Sequence, residues 1–344
     1  MKLHTTVSGE LRFEVWKSDQ LDASGNPLAG ESAKLDTGFN KQTITDAFFD
    51  AYVGFNGVNT SRSDFMQYMG CGVGTAAASG SDTTITGQLG TRIPVDVGLL
   101  SAILTNSYDG EILETAQYRG TAGQVIGAIS EVGLFADATG GQTMMRSLIK
   151  DPSGDPTTIV LSVTDHLYIS WRVSTNVTLT TTSSTITIGG VSYNYTIKPC
   201  NWTAGGDFFQ ALNPFCFWAS SEPRYGFGFR ELLAFSTQTL GTHTTQPAGT
   251  PFMVPHIEQA PIMSLDTYVP GTWTRTATYS VGAEECNISG GIGSIVIGAD
   301  TLLGFPGYQI SFSAVANGGK IPKTSANILT IGMYYSFGRT QYAN

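Results

Sequence analysis

Charge is scarce in this chain. Only 13% of its 344 residues are Asp, Glu, Lys or Arg, against roughly 25% in an ordinary soluble domain. Helices carry Lys and Glu on their wet face, whereas sheets can present Thr and Ser there. Low charge together with 41 glycines and long Thr/Ser stretches therefore points to a mostly β protein with a neutral polar surface. Basic residues are the scarcer sign, 18 Lys and Arg against 27 Asp and Glu, for a net charge of −9. Nucleic-acid binders draw most of their non-specific affinity from Lys and Arg, so direct DNA or RNA binding is not expected. Runs of about 18 apolar residues are missing too, so no membrane span is expected. Residues Met1–Val7 lead into alternating strand-like sequence without the apolar stretch of a signal peptide, so the expectation is a soluble chain made in a cytoplasm.

Cysteine and histidine are equally sparse. Cys71, Cys200, Cys216 and Cys286 form no CxxC and are too few to scaffold a chain of this length, which predicts buried free thiols. His4, His166, His243 and His256 lie far apart, without the spacing that sets two ligands on one helical face, so no zinc or other metal site is expected. Five Asn-x-Ser/Thr sequons, at Asn59, Asn176, Asn194, Asn201 and Asn287, are what chance gives in a chain so rich in Thr and Ser.

What the chain does contain is a pattern used twice. Arg119-Gly120-Thr121-Ala122 leads into Ile129-Ser130-Glu131-Val132-Gly133-Leu134-Phe135-Ala136-Asp137 and closes at Leu167–Arg172. Arg275-Thr276-Ala277-Thr278 leads into Ile292-Gly293-Ser294-Ile295-Val296-Ile297-Gly298-Ala299-Asp300 and closes at Met333–Arg339. A repeat this long suggests one β-fold used twice, not a solenoid. The fold expected is all-β: two related antiparallel β-sandwich or jelly-roll-like domains, residues 1–176 and 177–344, with one short helix near 43–52.

Local patterns fill in this outline. Leu11, Phe13 and Val15 alternate with Glu10, Arg12 and Glu14 as in a half-buried strand. Thr43-Ile44-Thr45-Asp46 reads as a capping box for the helix, with Ile44, Ala47, Phe48 and Ala51 at helical spacing. Gly72-Val73-Gly74-Thr75-Ala76-Ala77 matches a dinucleotide-binding fingerprint in form, but Ala78–Asp82 cannot supply the helix that would hold a pyrophosphate. A glycine-rich strand and loop is expected there, and no cofactor. Leu167, Ile169 and Trp171 face away from His166, Tyr168 and Ser170, which makes His166 an ordinary solvent-facing histidine. The Thr/Ser stretch Thr178–Thr187 is itself β-prone, so the boundary near 176 can be continuous sheet. Residues 237–250 read as a long exposed loop. Phe208, Phe209, Phe215, Phe217, Trp218, Tyr225, Phe227 and Phe229 form an aromatic block that can fill a core or line an interface.

The run Thr121–Arg172, with Ile129–Phe135, Met145–Pro152 and Pro156–Ile159, resembles a segment of structural proteins of tailed bacteriophages. Phe39–Asp46 as strand into helix, Gly72–Thr75, and the ending Ile321–Thr324 through Phe337–Arg339 are similar to blocks of the same proteins. The resemblance implies a virion structural protein of the tail, collar or fibre-attachment region. It would be assembled in the host cytoplasm, homo-oligomeric, and in contact with other tail, neck or capsid proteins. A capsid decoration or head-fibre protein is the first alternative.

Catalysis is the competing class. A glycosidase needs two carboxylates flanking one linkage, and Glu111, Glu114, Asp207 and the neighbours Glu284 and Glu285 are the candidates. Adjacent strand residues point to opposite faces, Glu111 follows the turn signal Asp109-Gly110, and no G-x-S-x-G elbow is present. Turn or rim carboxylates are expected, and no enzyme. A carbohydrate-binding or depolymerising tail protein that uses the aromatic block on host-surface glycan remains the alternative from another class.

Overall fold

The computed structural model describes residues 2–54, 66–96, 99, 101–106, 111–177, 181–200, 232–236, 240, 251–253, 263–297 and 307–340. In the first half the strands are β1 (Lys2–Lys17), β2 (Leu35–Asp36), β3 (Asn40–Ile44), then helix α1 (Asp46–Gly54), β4 (Tyr68–Gly72), β5 (Leu89–Pro94), β6 (Ser101–Asn106), β7 (Glu111–Arg119), β8 (Gly127–Ile129), β9 (Glu131–Phe135), β10 (Thr143–Leu148), β11 (Ile159–Leu161) and β12 (Asp165–Val177). The second half holds β13 (Thr182–Ile188), β14 (Val191–Cys200), β15 (Leu232–Phe235), β16 (Pro251–Met253), β17 (Met263–Leu265), β18 (Thr274–Val281), β19 (Ser294–Ile297), β20 (Gly307–Ala314) and β21 (Leu329–Arg339). The protein is all-β, built from antiparallel sheets in the manner of sandwiches, with one α-helix among the described residues. No described helix is long and apolar enough to cross a membrane.

β1 organises the first half. Its odd residues Val7, Leu11, Phe13 and Val15 are buried, as the alternation of apolar and charged residues dictates. One edge pairs with β12 from Thr5 to Lys17, and the other meets β21, β3 and β2 in turn. From β3 the pairing runs through β10, β9 and β4 to β5. A bridge between Val95 and Tyr118 then joins that layer to β7, which pairs back through β12 to β1. The antiparallel layers of the first sandwich thus close on themselves.

The second half repeats this strand order. β14-β20-β19-β15-β16 corresponds to β3-β10-β9-β4-β5, and β17-β18-β21 corresponds to β6-β7-β12, with every pairing antiparallel in both halves. Single hydrogen bonds correspond as well. Ser130 N donates to Gly72 O and Gly293 N to Phe235 O, while Ile149 N donates to Ser130 O and Phe312 N to Gly293 O. The β8–β11 pair, where Ile129 meets Ile159, shrinks to a single bridge between Ile292 and Ile321.

The halves part company at one strand. β13 holds the place of β1, yet among the described residues it pairs only with β14, and the edge of β21 is taken by residues 2–7 of β1 in parallel. One 13-stranded sheet therefore runs through both halves, and β12, which ends at Val177, spans the boundary expected near residue 176.

The helix starts later than the sequence suggests, because Thr43 and Ile44 pair with β10 as part of β3. Thr45 takes the N-cap position, with its hydroxyl 3.4 Å from Phe48 N, and also donates to the carbonyls of Thr143 and Met144. Phe48, Phe49, Tyr52 and Val53 are buried. Phe49 stacks on Trp273 at 4.8 Å and Tyr52 meets Phe337 edge-on at 5.2 Å, so α1 packs against strands of the second half.

Candidate functional site

Every residue of β9 and β10 is buried, so these strands are covered on both faces. Val132 and Leu134 enter the core; Glu131, Gly133 and Phe135 point the other way, beneath the loop 73–88. Glu131 is fully buried there. Its carboxylate accepts hydrogen bonds from Gly74 N at 3.0 Å, Thr86 N at 2.5 Å and Arg146 Nε at 2.6 Å. Arg146 also donates to Asp82 Oδ2 at 2.7 Å and to the carbonyls of Ala76 and Ala77. Burial lowers the proton affinity of the Arg146 guanidinium, but hydrogen bonds to Asp82 and Glu131 more than reverse this, and its pKa is raised. The ion pair pins both ends and the middle of one loop.

The glycines are the space this arrangement needs. A Cβ on Gly74 would overlap the Glu131 carboxylate, one on Gly72 would lie 2.7 Å from Thr86 O, and one on Gly133 would lie 2.9 Å from Ile85 Cγ2. The expected glycine-rich strand and loop is what the structure has, with no helix in segment 73–88. The Gly74 N–H, in the place a phosphate would need in a dinucleotide fingerprint, donates instead to the chain's own carboxylate.

The corresponding place in the second half carries a neutral pair. Ser294 occupies the position of Glu131 and Gln309 that of Arg146, as the β9–β10 and β19–β20 registers show. Both are fully buried, and Gln309 Nε2 donates to Ser294 Oγ at 2.9 Å. The positions of Gly70, Gly72 and Gly133 are held by Leu233, Phe235 and Val296.

Two further polar clusters hold the sandwiches together. Asp165, its side chain fully buried, meets Lys17 at 2.6 Å and Lys34 at 3.4 Å and accepts hydrogen bonds from the Ser162 hydroxyl and N–H. Burial alone would raise its pKa, but the hydrogen bonds from Lys17 and Ser162 and the charge of Lys34 hold it well below the usual carboxylate range. Around α1, Arg275 donates to Val53 O and Asp266 O, and Arg339 donates to Ile44 O and Asp46. Asp50 accepts from Tyr268 and from Gly271 N. Trp273, at φ 50, adopts a left-handed conformation rare outside glycine, and its ring stacks on Phe49.

The carboxylates singled out from sequence do not come together. Glu114 is a correction: it is fully buried on the inward face of β7, opposite Val173, and is no rim residue. Glu111 opens β7 and is not in a turn. Glu284 and Glu285 sit in a turn after β18, not in a strand, and Glu285 accepts from Gly282 N at 2.7 Å. Asp207 and the whole aromatic block Phe208–Phe229 lie outside the described residues, as does nearly all of the loop 237–250. His166 is half-buried, with Nε2 3.1 Å from the Ser18 hydroxyl. Its strand is covered on both faces, since Tyr168 and Ser170 are buried as well. Cys71 and Cys286 are buried free thiols, and burial pushes them up to about 12 and about 11. Among the described residues no group of three His, Cys, Asp or Glu is placed to hold a metal ion.

Glu131 lies in the repeated segment and Arg146 in the block Met145–Pro152, and neither has a role assigned from sequence. The available signal was one charged residue in each of two otherwise apolar or small strands, a combination tolerated when buried charges pair. Compared with known proteins, the chain matches no family model, no curated protein and no solved structure.

Proposed function

We propose that this chain is a structural component of a tailed-bacteriophage virion, in the tail, collar or fibre-attachment region, working through contacts with copies of itself and with other virion proteins. The assembly part of the reading rests on one observation. A 13-stranded sheet runs through both halves and joins them. Four buried charges, Glu131, Arg146, Asp165 and Arg275, are directed at loops, strand ends and a helix end of the same chain. Side chains so engaged hold a shape; a catalytic site directs such groups toward a substrate. The virion part rests on the resemblance of residues 121–172 and 321–339 to phage structural proteins.

Mass spectrometry of purified particles, with cryo-electron microscopy of the same sample, tests this. The expected result is the chain present in several copies at one symmetric location. A chain absent from particles and monomeric in solution would overturn the proposal. Release of reducing sugar from host polysaccharide, abolished by Asp207→Ala or Glu285→Ala, would replace it with the depolymerase alternative.

A further inference from the structure

We propose that β13 is the surface through which two copies of this chain pair, edge to edge and antiparallel, about a two-fold axis at Thr185. The inference deepens the assembly reading above and rests on it. β1, which holds the equivalent place in the first half, has strands on both edges, whereas among the described residues β13 pairs with β14 alone. An open edge is a template for another strand, and soluble proteins guard such edges with charge, proline or bulges. This one is unguarded: from Val173 to Ile197 the chain contains no Asp, Glu, Lys, Arg or Pro, and the register of β13 with β14 is unbroken from Thr182 to Ile188.

A second copy fits this edge on three grounds. The first is charge. Two copies of a chain of net charge −9 repel wherever acidic surface meets acidic surface, and an uncharged strand offers a contact without like charges opposed. The second is side-chain chemistry. Ser183, Thr185 and Thr187 are exposed on one face, and Ser183 Oγ already lies 3.0 Å from Thr196 Oγ1 directly opposite on β14. A two-fold at Thr185 sets Ser183 against Thr187 of the second copy and Thr185 against itself, which extends this hydroxyl ladder. On the other face the half-buried Ile186 and Ile188 gain cover from Ser184 and Thr182 of the second copy. The third is geometry. Gly189 and Gly190, at φ 55 and 80, make a tight hairpin that fixes the register of β13 on β14. Every pairing within this six-stranded sheet is antiparallel, and a two-fold strand pair is antiparallel by symmetry.

The test uses the full chain and two variants, Thr185→Lys and Thr185→Glu, at an exposed position, with mass measured by light scattering and sedimentation. The proposal expects an oligomer of even copy number for the unsubstituted chain. Each variant alone should raise the dissociation constant at least about tenfold by opposing like charges across the axis. A one-to-one mixture of the variants should restore association, which a merely misfolded variant would not do. An oligomer unchanged in both variants, or variants whose mixture does not reassociate, would overturn the β13 contact and leave the assembly reading standing. A chain monomeric at every concentration would also overturn the β13 contact, while the assembly reading falls only if the chain is absent from purified particles as well.

Discussion

The outer face of β9–β10 and the same face of β19–β20 share a strand order and a register but are filled in opposite ways. In the first half Gly70, Gly72 and Gly133 open room for a long ion pair, Glu131 with Arg146. In the second, Leu233, Phe235 and Val296 stand at those places, and only a short neutral pair, Ser294 with Gln309, remains. Packing density near the core is fixed, so large residues in the strands leave room for small polar ones, and small residues for large polar ones. The charged solution also satisfies the N–H groups of Gly74 and Thr86 and the carbonyls of Ala76 and Ala77. A buried ion pair is a costly way to gain stability. Here its return is the fixed path of a loop.

The largest expected effect comes from making the first half half-neutral. Arg146→Gln leaves the Glu131 carboxylate buried without its cation and should cost about 3–5 kcal/mol in denaturant unfolding. Adding Glu131→Ser in the same chain, which copies the pair of the second half, should recover part of that loss. If the two costs simply add, the two sites are not alternative solutions to one packing problem. Next in size is Gly74→Ala, whose Cβ would overlap the Glu131 carboxylate. A loss of about 1–3 kcal/mol is expected, together with faster proteolysis within the loop 73–88. Unaltered proteolysis would separate the loop from the ion pair.

Gln309→Met removes the neutral pair's donor while keeping its length. Because the lost hydrogen bond joins two neutral groups, the cost should be about 1 kcal/mol. A cost matching that of Arg146→Gln would erase the contrast between charged and neutral solutions. The last contrast is read from the acid limb, where the contribution of Asp165 disappears. The Asp165 carboxylate has a folded pKa below its unfolded value near 3.9. Its contribution is present above that unfolded value and is lost as pH falls through the folded one. Asp165→Asn should therefore flatten the acid limb of a stability profile. An unchanged limb would show that Lys17 and Lys34 do not act on this group.

Several features of the fold could be read residue by residue. The alternation around Leu11, Phe13 and Val15 specified β1, and aligning Ile129 with Ile292 identified two segments that lie at the same place in the two sheets. The helix was placed early because Thr43 and Thr45 offer the same hydroxyl, and only the pairing of Thr43 with Arg146 decides which one caps. Glu114 was read as a rim group because its distance from a turn is a local fact, while its burial depends on β12 alongside it. The same limit hid the loop anchor. Glu131 and Arg146 are fifteen positions apart, and nothing local says that a third segment, 73–88, closes over them.

The sequence by itself determined the all-β character, the alternating faces and the buried thiols of Cys71 and Cys286, since each follows from composition or short-range period. Tertiary structure alone decided which strand of each half pairs with which neighbour. β1 reaches β12, β3 and β21 because one long strand can present two edges to partners far away in the chain, whereas its counterpart β13 has a single partner among the described residues. Strand edges carry the same backbone donors and acceptors whatever the side chains. Which edge is filled and which stays open is therefore settled only when all the strands compete for them.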